Sequence, residues 1–407
     1  MQRVGGRQGG GWHEIDVELT SITLSLHCIM YKLALSDTKY KTPVFKKNIP
    51  DDSFKYQPLP KPSGKYPYHM DLTEIVDDPP VDKMVFHMVG DTGSVRNPSF
   101  QKLVVAQMLR HFKANGAEED DPQFLYHLGD VVYNFGEASA YKSQFFTPYE
   151  KYPAPIVAIA GNHDSEINPD SKPYKSLDAF TAVFCDTERQ VVSFSGDAER
   201  RSMTQPNVYW TLETPLATFI GLHSNTPKFG IVTEEQRAWF RKELLAADKH
   251  RPEKALIVCI HHSPYSADIN HGSSIPMIEF LESAFAETGV KPDVVFSGHV
   301  HNYQRMQKQY PDGDSVLFIV AGGGGYDELH PVASEDDDRF TNENSMFQGV
   351  QLLNYCDDKH GFLKVSIERG PEGLSLSGAY YSIPHEEEID SDDPAVLADE
   401  FLINLRR

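Results

Sequence analysis

From about Val81 onward the chain alternates between short apolar runs and polar loops rich in glycine and histidine. Five runs stand out: KMVFHMVGD (from Lys83), PQFLYHLGD (from Pro122), PIVAIAGNHD (from Pro155), KALIVCIHHS (from Lys254) and PDVVFSGHVH (from Pro292). Continuous apolar runs of this length, bounded by glycine, predict strands buried on both faces. Helical patterns lie between them. Ser99 to Phe112 carries apolar residues at helical spacing. TEEQRAWFRKELLAA opens with Thr233 and Gln236 at capping-box spacing and puts Trp239, Phe240 and Leu244 on one face. A third helix is predicted near Pro276 to Phe285. NVYWTLETPLATFIGLHSN reads as an antiparallel hairpin, and GFLKVSIERGPEGLSLSGAYYS as a second one that closes the sheet. Strands alternating with helices predict an α/β fold with a mixed sheet flanked by helices.

The pattern divides the chain in three. Residues 1–80 are Gly-rich, then Lys- and Pro-rich, which predicts an extended or poorly ordered extension. Residues 81–384 carry the strand rhythm and form the expected catalytic domain. Residues 385–407 are acidic and are expected to be a solvated tail. Ser165 to Pro206 is long and polar, an expected surface insertion beside the loop of Asn162 and His163.

Composition narrows the function classes. The chain has 407 residues, 40% of them hydrophobic, and a formal net charge of -21. That surface repels nucleic-acid phosphates at long range, so no nucleic-acid partner is expected. The four cysteines are far apart and form no CxxC pair, which excludes a thiolate zinc site or a disulfide framework. The most apolar stretch near the start, SITLSLHCIMYKLAL, is interrupted by Ser25, His27 and Lys32, and no membrane partner is expected. A soluble, cytoplasmic protein is the expectation.

The ends of the five runs carry the chemistry. Asp91, Asp130, Asn162, His261, His299 and His301 each stand just after an apolar run. Ligands of open α/β sheets gather at the carboxyl ends of strands, so these loops can bring the six side chains together. One such loop alone is an ordinary turn, because Gly-Asp pairs are common there. Five in order point to a metal centre. So many ligands call for two ions, with Asp130 bridging, since a carboxylate offers several lone pairs. A two-metal site about 3.5–4 Å across suits in-line phosphoester hydrolysis. The AGGGG run, Ala321 to Gly325, lacks the Lys-Ser/Thr of a phosphate-binding P-loop and reads as a turn after a strand.

In these blocks the chain resembles the calcineurin-like metallophosphoesterases, and more narrowly the purple acid phosphatases. That branch has GDxG, GDxxY, GNH(D/E), VxxH and GHxH, which stand here as GDTG, GDVVY, GNHD, VCIH and GHVH. The resemblance implies a four-layer fold of two packed mixed β-sheets flanked by helices. It implies Asp91, Tyr133 and His301 on a ferric ion, and Asn162, His261 and His299 on a divalent ion (iron, zinc or manganese), with Asp130 between them. Phenolate and carboxylate suit a trivalent ion, and imidazoles with an amide oxygen suit a divalent one. His163 and His271 become candidate catalytic residues that contact phosphate or protonate the leaving group. Asp164 is expected to orient His163. His261 rather than His262 fills the VxxH position, and alternation lets only one of the pair face the site. Asn302 and Arg305 lie close enough to matter, although an arginine there is often structural. The implied reaction is hydrolysis of a small phosphorylated substrate, a phosphomonoester, by a hydroxide acidified by the ferric ion. The alternatives are a phosphodiesterase or nucleotidase on the same metals, and a non-catalytic metal-binding protein. Oligomeric state has no signature in the sequence.

Overall fold

In the computed structural model, which describes residues 39–47, 58–96, 98–112, 120–168, 170, 175–224, 232–384 and 393–405, each of the five apolar runs is a buried strand. They are β3 (Lys83–Val89), β4 (Phe124–His127), β5 (Ile156–Ala158), β8 (Ala255–Ile260) and β9 (Val294–Ser297). Two sheets hold them. A six-stranded sheet runs in the order β16 (Val396–Leu405), β15 (Gly373–Ser382), β14 (Gly361–Gly370), β3, β4, β5, with β3, β4 and β5 mutually parallel. An eight-stranded sheet runs β13 (Val350–Cys356), β10 (Tyr303–Gln309), β11 (Ser315–Ala321), β9, β8, β7 (Ala217–Leu222), β6 (Trp210–Glu213), β2 (His69–Asp71). Its centre, β7–β8–β9–β11, is parallel, and antiparallel strands β10 and β6 flank it. β1 (Phe45–Lys46) and β12 (Phe340–Thr341) form a separate small ladder.

The sheets pack face to face. Phe86 and Phe124 of the first meet Phe219 of the second at 5.2 and 5.9 Å between ring centres, and Tyr126 stacks on Trp210. The helix Ser99–Leu109 covers the first sheet beside β14. Helices Glu234–Asp248 and Ile275–Thr288 cover the second and meet through Phe240 and Phe280. The result is the expected four layers, two mixed sheets between helices.

Local chemistry explains the helix ends. Thr233 Oγ1 accepts the Gln236 N–H, as the spacing predicts. The other half of the capping box is absent, because the Gln236 side chain instead bonds both backbone groups of His223, at 2.8 and 2.9 Å. Helix Ile275–Thr288 has Pro276 in its first turn and ends at Gly289 in the left-handed region.

Four expectations need correction. The second hairpin, β14–β15, does not close its sheet, because β15 pairs onward with β16. The C-terminal segment is not a solvated tail where the structure describes it: Val396–Leu405 is a ten-residue strand. Its acidic residues hide a period-2 pattern that buries Asp399, Phe401 and Leu405. The polar insertion after Ser165 contains a helix, Asp178–Phe184, whose Phe180 and Phe184 are core residues, with Phe184 5.3 Å from Phe145. The described parts of the N-terminal extension are also docked. β2 adds the last strand of the large sheet, Trp239 Nε1 donates to Pro67 O, and Val44 is sealed against the loop of Ser266. The SITLSLHCIMYKLAL stretch and residues 385–392 lie outside the described residues. Among the described residues no helix is long and apolar enough to cross a membrane.

Candidate metal centre

The loops that leave β3, β4, β5, β8 and β9 meet at one edge of the two sheets. The six-stranded sheet supplies the oxygen donors Asp91, Asp130, Tyr133 and Asn162. The eight-stranded sheet supplies the imidazoles of His261, His299 and His301. All seven residues are buried. The Tyr133 hydroxyl lies 3.1 Å from Asp130 Oδ2, 3.3 Å from Asp91 Oδ1 and 3.3 Å from His301 Nε2. Asn162 Oδ1 lies 2.9 Å from His299 Nδ1 and 3.2 Å from His261 Nε2. Asp130 Oδ2 lies 3.4 Å from His261 Nε2, and ligand atoms of Asp130, His261 and His299 fit within 4.8 Å of one another. Asp130 thus touches both groups, Asp91–Tyr133–His301 through Tyr133 and Asn162–His261–His299 through His261, and Asp91 Oδ2 also accepts the His299 N–H.

The backbone is bent to make this arrangement. Asp91, Asp130 and His299 have φ of 57°, 53° and 68°, in the left-handed region that costs a residue with a side chain about 1–2 kcal/mol. Three such residues at one site indicate that the surrounding structure holds them there. Gly161 is needed for space: a Cβ there would sit 2.1 Å from Asp130 Oδ1. The AGGGG run does more than turn. A Cβ on Gly322 would lie 2.8 Å from Asp91 Oδ2, so the run packs directly under the Asp91 loop.

The donor set fits cations. Among the described residues neither carboxylate pairs with lysine or arginine; their ion pairs are with His301 and His261. Burial, and then Asp130 nearby, push the Asp91 carboxyl well above its usual range, although His261 opposes this. Burial also works against Asp130, but His261 and His163 hold its carboxyl below the usual range. Burial and the two carboxylates push the Tyr133 phenol up. At His261, Asp130 outweighs burial and lifts the imidazole to about 9. Burial pushes His299 and His301 down. Two buried carboxylates and a phenol, faced among the described residues by imidazoles and not by lysine or arginine, form a donor set that bound metal ions would satisfy. The imidazoles are prepared for it. His261 and His301 each present Nδ1 to a backbone carbonyl, Leu128 O and Glu328 O, which leaves Nε2 facing the cluster.

The remaining candidates fall into place around this core. The His163 ring lies 4.3 Å from Tyr133 at the partly exposed rim, and its backbone N–H donates to Asp130 Oδ1. The His271 ring packs 4.1 Å from His299. His262 turns away from His261, with the rings at 88°, bonds Ser224 through Nδ1, and packs 4.3 Å from His299. Asp164 does not orient the His163 ring. It accepts the N–H groups of Gly161, Val131 and Val132 and so ties the Asn162 loop to the Asp130 loop. Arg305 is structural, and pairs with Asp399 of β16.

Three residues at the site escaped sequence reasoning. Gln144 spans Tyr133 with a two-point bond, accepting its N–H at 2.8 Å and donating to its C=O at 2.9 Å. Tyr326 rests against Tyr133 and His301, at 4.2 and 4.4 Å between ring centres. His330 stacks on His301 at 4.2 Å. None stands at the end of an apolar run, and only the position of Tyr326, right after the glycine run, offered a signal.

Comparison with known proteins agrees with this geometry. The model of the calcineurin-like phosphoesterase family matches residues 84–303. Purple acid phosphatase 1 of Ipomoea batatas is 23% identical over 327 residues, covering 74% of this chain and 59% of its own length. Fe(3+)-Zn(2+) purple acid phosphatase 12 of Arabidopsis thaliana is 25% identical over 190 residues, 43% of this chain and 37% of that one. The chain thus spans less than two thirds of the length of these relatives. The solved structure of purple acid phosphatase PPD1 from yellow lupin (Lupinus luteus) seeds shares the fold, with a TM-score of 0.53 at 18% identity over 80% of this chain and 55% of that one.

Proposed function

For a chain that belongs to the calcineurin-like phosphoesterase family, we propose the activity of a binuclear phosphomonoesterase of the purple acid phosphatase kind. Asp91, Tyr133 and His301 would hold a ferric ion, Asn162, His261 and His299 a divalent ion (iron, zinc or manganese), and Asp130 both. Ions held there would supply a Lewis-acid grip on phosphoryl oxygens and an acidified water. The observation that carries this reading is the Tyr133 hydroxyl, within 3.1–3.3 Å of Asp130, Asp91 and His301. The Fe(3+)-Zn(2+) designation of the Arabidopsis thaliana relative supports the metal assignment.

The protein's own residues then divide the work. Asn134 O accepts the Nδ1 proton of His163 at 2.8 Å, so a second proton, on Nε2, would serve the departing oxygen. Asp268 accepts the backbone N–H of His271 at 2.6 Å, and the His271 ring packs beside His299. Burial of the cluster excludes bulk water and strengthens each of these contacts. The expected partner is a small phosphorylated molecule, since the chain's formal net charge of -21 repels nucleic-acid phosphates at long range.

The test has two arms. Protein purified under oxidising conditions should contain iron and show a visible tyrosinate-to-iron absorption band, which Tyr133→Phe removes while some hydrolysis persists. Side-by-side assays on a monoester, a diester and nucleotides should favour the monoester. A colourless, iron-loaded protein removes Tyr133 from the ligand set. Turnover of diesters or nucleotides alone makes the protein a phosphodiesterase or nucleotidase, and metal-loaded protein that turns over no phosphoester makes it a binding protein.

A further inference from the structure

His330 lies 29 residues beyond His301 in the polar stretch DELHP, which belongs to none of the motif blocks. The fold returns it to the candidate centre. Its ring stacks on His301 at 4.2 Å and 26°, and lies 5.3 Å from the His271 ring. Its backbone is fixed at both ends: its N–H donates to His301 O at 3.0 Å, and its C=O accepts Asn302 Nδ2 at 2.6 Å. The His301 N–H points at His330 Nδ1, at 3.4 Å. A nitrogen that accepts there keeps its lone pair, so the ring proton of the neutral imidazole belongs on Nε2. Nε2 has no partner among the described residues. Nor is it one of the sealed, unpartnered nitrogens, unlike His262 Nε2 and both ring nitrogens of His223. It is an N–H donor that remains open, between His301 and His271.

Asp268 stands behind it. Its side chain is fully buried; Oδ2 accepts the N–H of His271 at 2.6 Å and of Asn270 at 3.0 Å, and Oδ1 lies 3.4 Å from His330 Nδ1. Oδ1 makes no hydrogen bond, so the carboxylate braces the His271 loop and only lies beside the His330 ring. We infer that His330 is a further substrate-contacting residue, an N–H donor to the oxygens of the bound phosphoryl group. This rests on the phosphohydrolase reading above.

The test uses the full chain loaded with metal, with inorganic phosphate as the probe, titrated by calorimetry, and metal content measured for every variant. His330→Ala and His330→Asn should weaken phosphate binding about 10-fold or more, the scale of one hydrogen bond to a charged group. His330→Gln, whose amide nitrogen reaches the Nε2 position, should stay within about 3-fold of wild type; asparagine reaches only the Nδ1 position. Metal content should not change. Unchanged phosphate affinity in His330→Ala, loss only in proportion to lost metal, or equal behaviour of the Asn and Gln variants overturns the inference. A wild-type protein that binds phosphate in this way but hydrolyses no phosphoester sinks the proposed activity and leaves His330 standing. Active protein whose phosphate affinity ignores His330 does the reverse, and wild-type protein that binds no phosphate overturns both.

Discussion

Replacing Asp399 by alanine should cost the metal-free protein about 3–5 kcal/mol, the scale for removing one partner of a buried ion pair. Asp399 is nearly sealed in β16 and accepts four hydrogen bonds from the other sheet's residues: Arg305 Nε at 2.7 Å, Arg305 Nη2 at 3.0 Å, Tyr303 Oη at 2.7 Å and Asn354 Nδ2 at 2.6 Å. Alanine leaves the Arg305 guanidinium without its counter-charge and a fully buried tyrosine hydroxyl without an acceptor, and each stranded group bears its own desolvation cost. The measurement is urea unfolding followed by fluorescence, with ΔG taken at constant m. The double variant Arg305→Ala/Asp399→Ala should fall short of the summed single effects by about 1 kcal/mol or more, because both singles break one contact. The pH sign can be checked on the same protein. Burial works to raise the Asp399 carboxyl, but Arg305, Asn354 and Tyr303 hold it below its usual range. Its contribution is therefore present above about pH 4 and lost as pH falls through the folded value. A midpoint that does not move in Asp399→Ala would refute the clasp between β16 and β10.

Two other outcomes follow from groups near the core. Gln144→Ala leaves both backbone groups of Tyr133 without their partner, and should lower iron affinity about 10–100-fold, the range seen for residues behind metal ligands; full iron stoichiometry at limiting iron would contradict this. Burial, then Lys364, pushes His111 down to about 4, and His111 sits 3.0 Å from the buried His87. The unfolded chain binds a proton below about pH 6.5 that the folded chain refuses until about 4. Stability of the metal-free protein should therefore decline as pH drops through that window, by about 3 kcal/mol. His111→Phe should flatten the slope, and equal slopes for the two proteins would discard the assignment.

The sequence exposed those parts of the molecule in which neighbours along the chain are neighbours in space. Asp91, Asp130 and His299 each follow a glycine that follows a strand, so local order alone announces them. The strands and flanking helices were legible for the same reason, since buried strands and amphipathic helices carry their own periods, whereas their division into two sheets and four layers came from the family resemblance alone. Tyr326 and His330 were not legible, because each reaches the site from outside the strand-end loops, and Gln144, 11 residues beyond Tyr133, was hidden because its bonds depend on how the chain folds back. β16 was hidden by its charge: Asp399 looks solvated in a list and is buried in space because Arg305 waits for it. β2 is three residues long and too short to show a period. Gln236 sits at a capping position, and its side chain spends its two bonds on His223 instead, a choice only the folded chain presents.

The division of donors between the two sheets has a consequence for the order of events in folding. Each proposed ion needs residues from both: Asp91 and Tyr133 with His301, Asn162 with His261 and His299. The Asp91 carboxylate and the His299 N–H, 2.8 Å apart, are 208 residues apart along the chain. Contacts that distant form slowly. Neither sheet by itself contains a complete set of ligands for either ion, so a nascent chain that has made only its first half offers metal no full site. Ion loading would then be a late step, and the moment of uptake would time the docking of the two sheets.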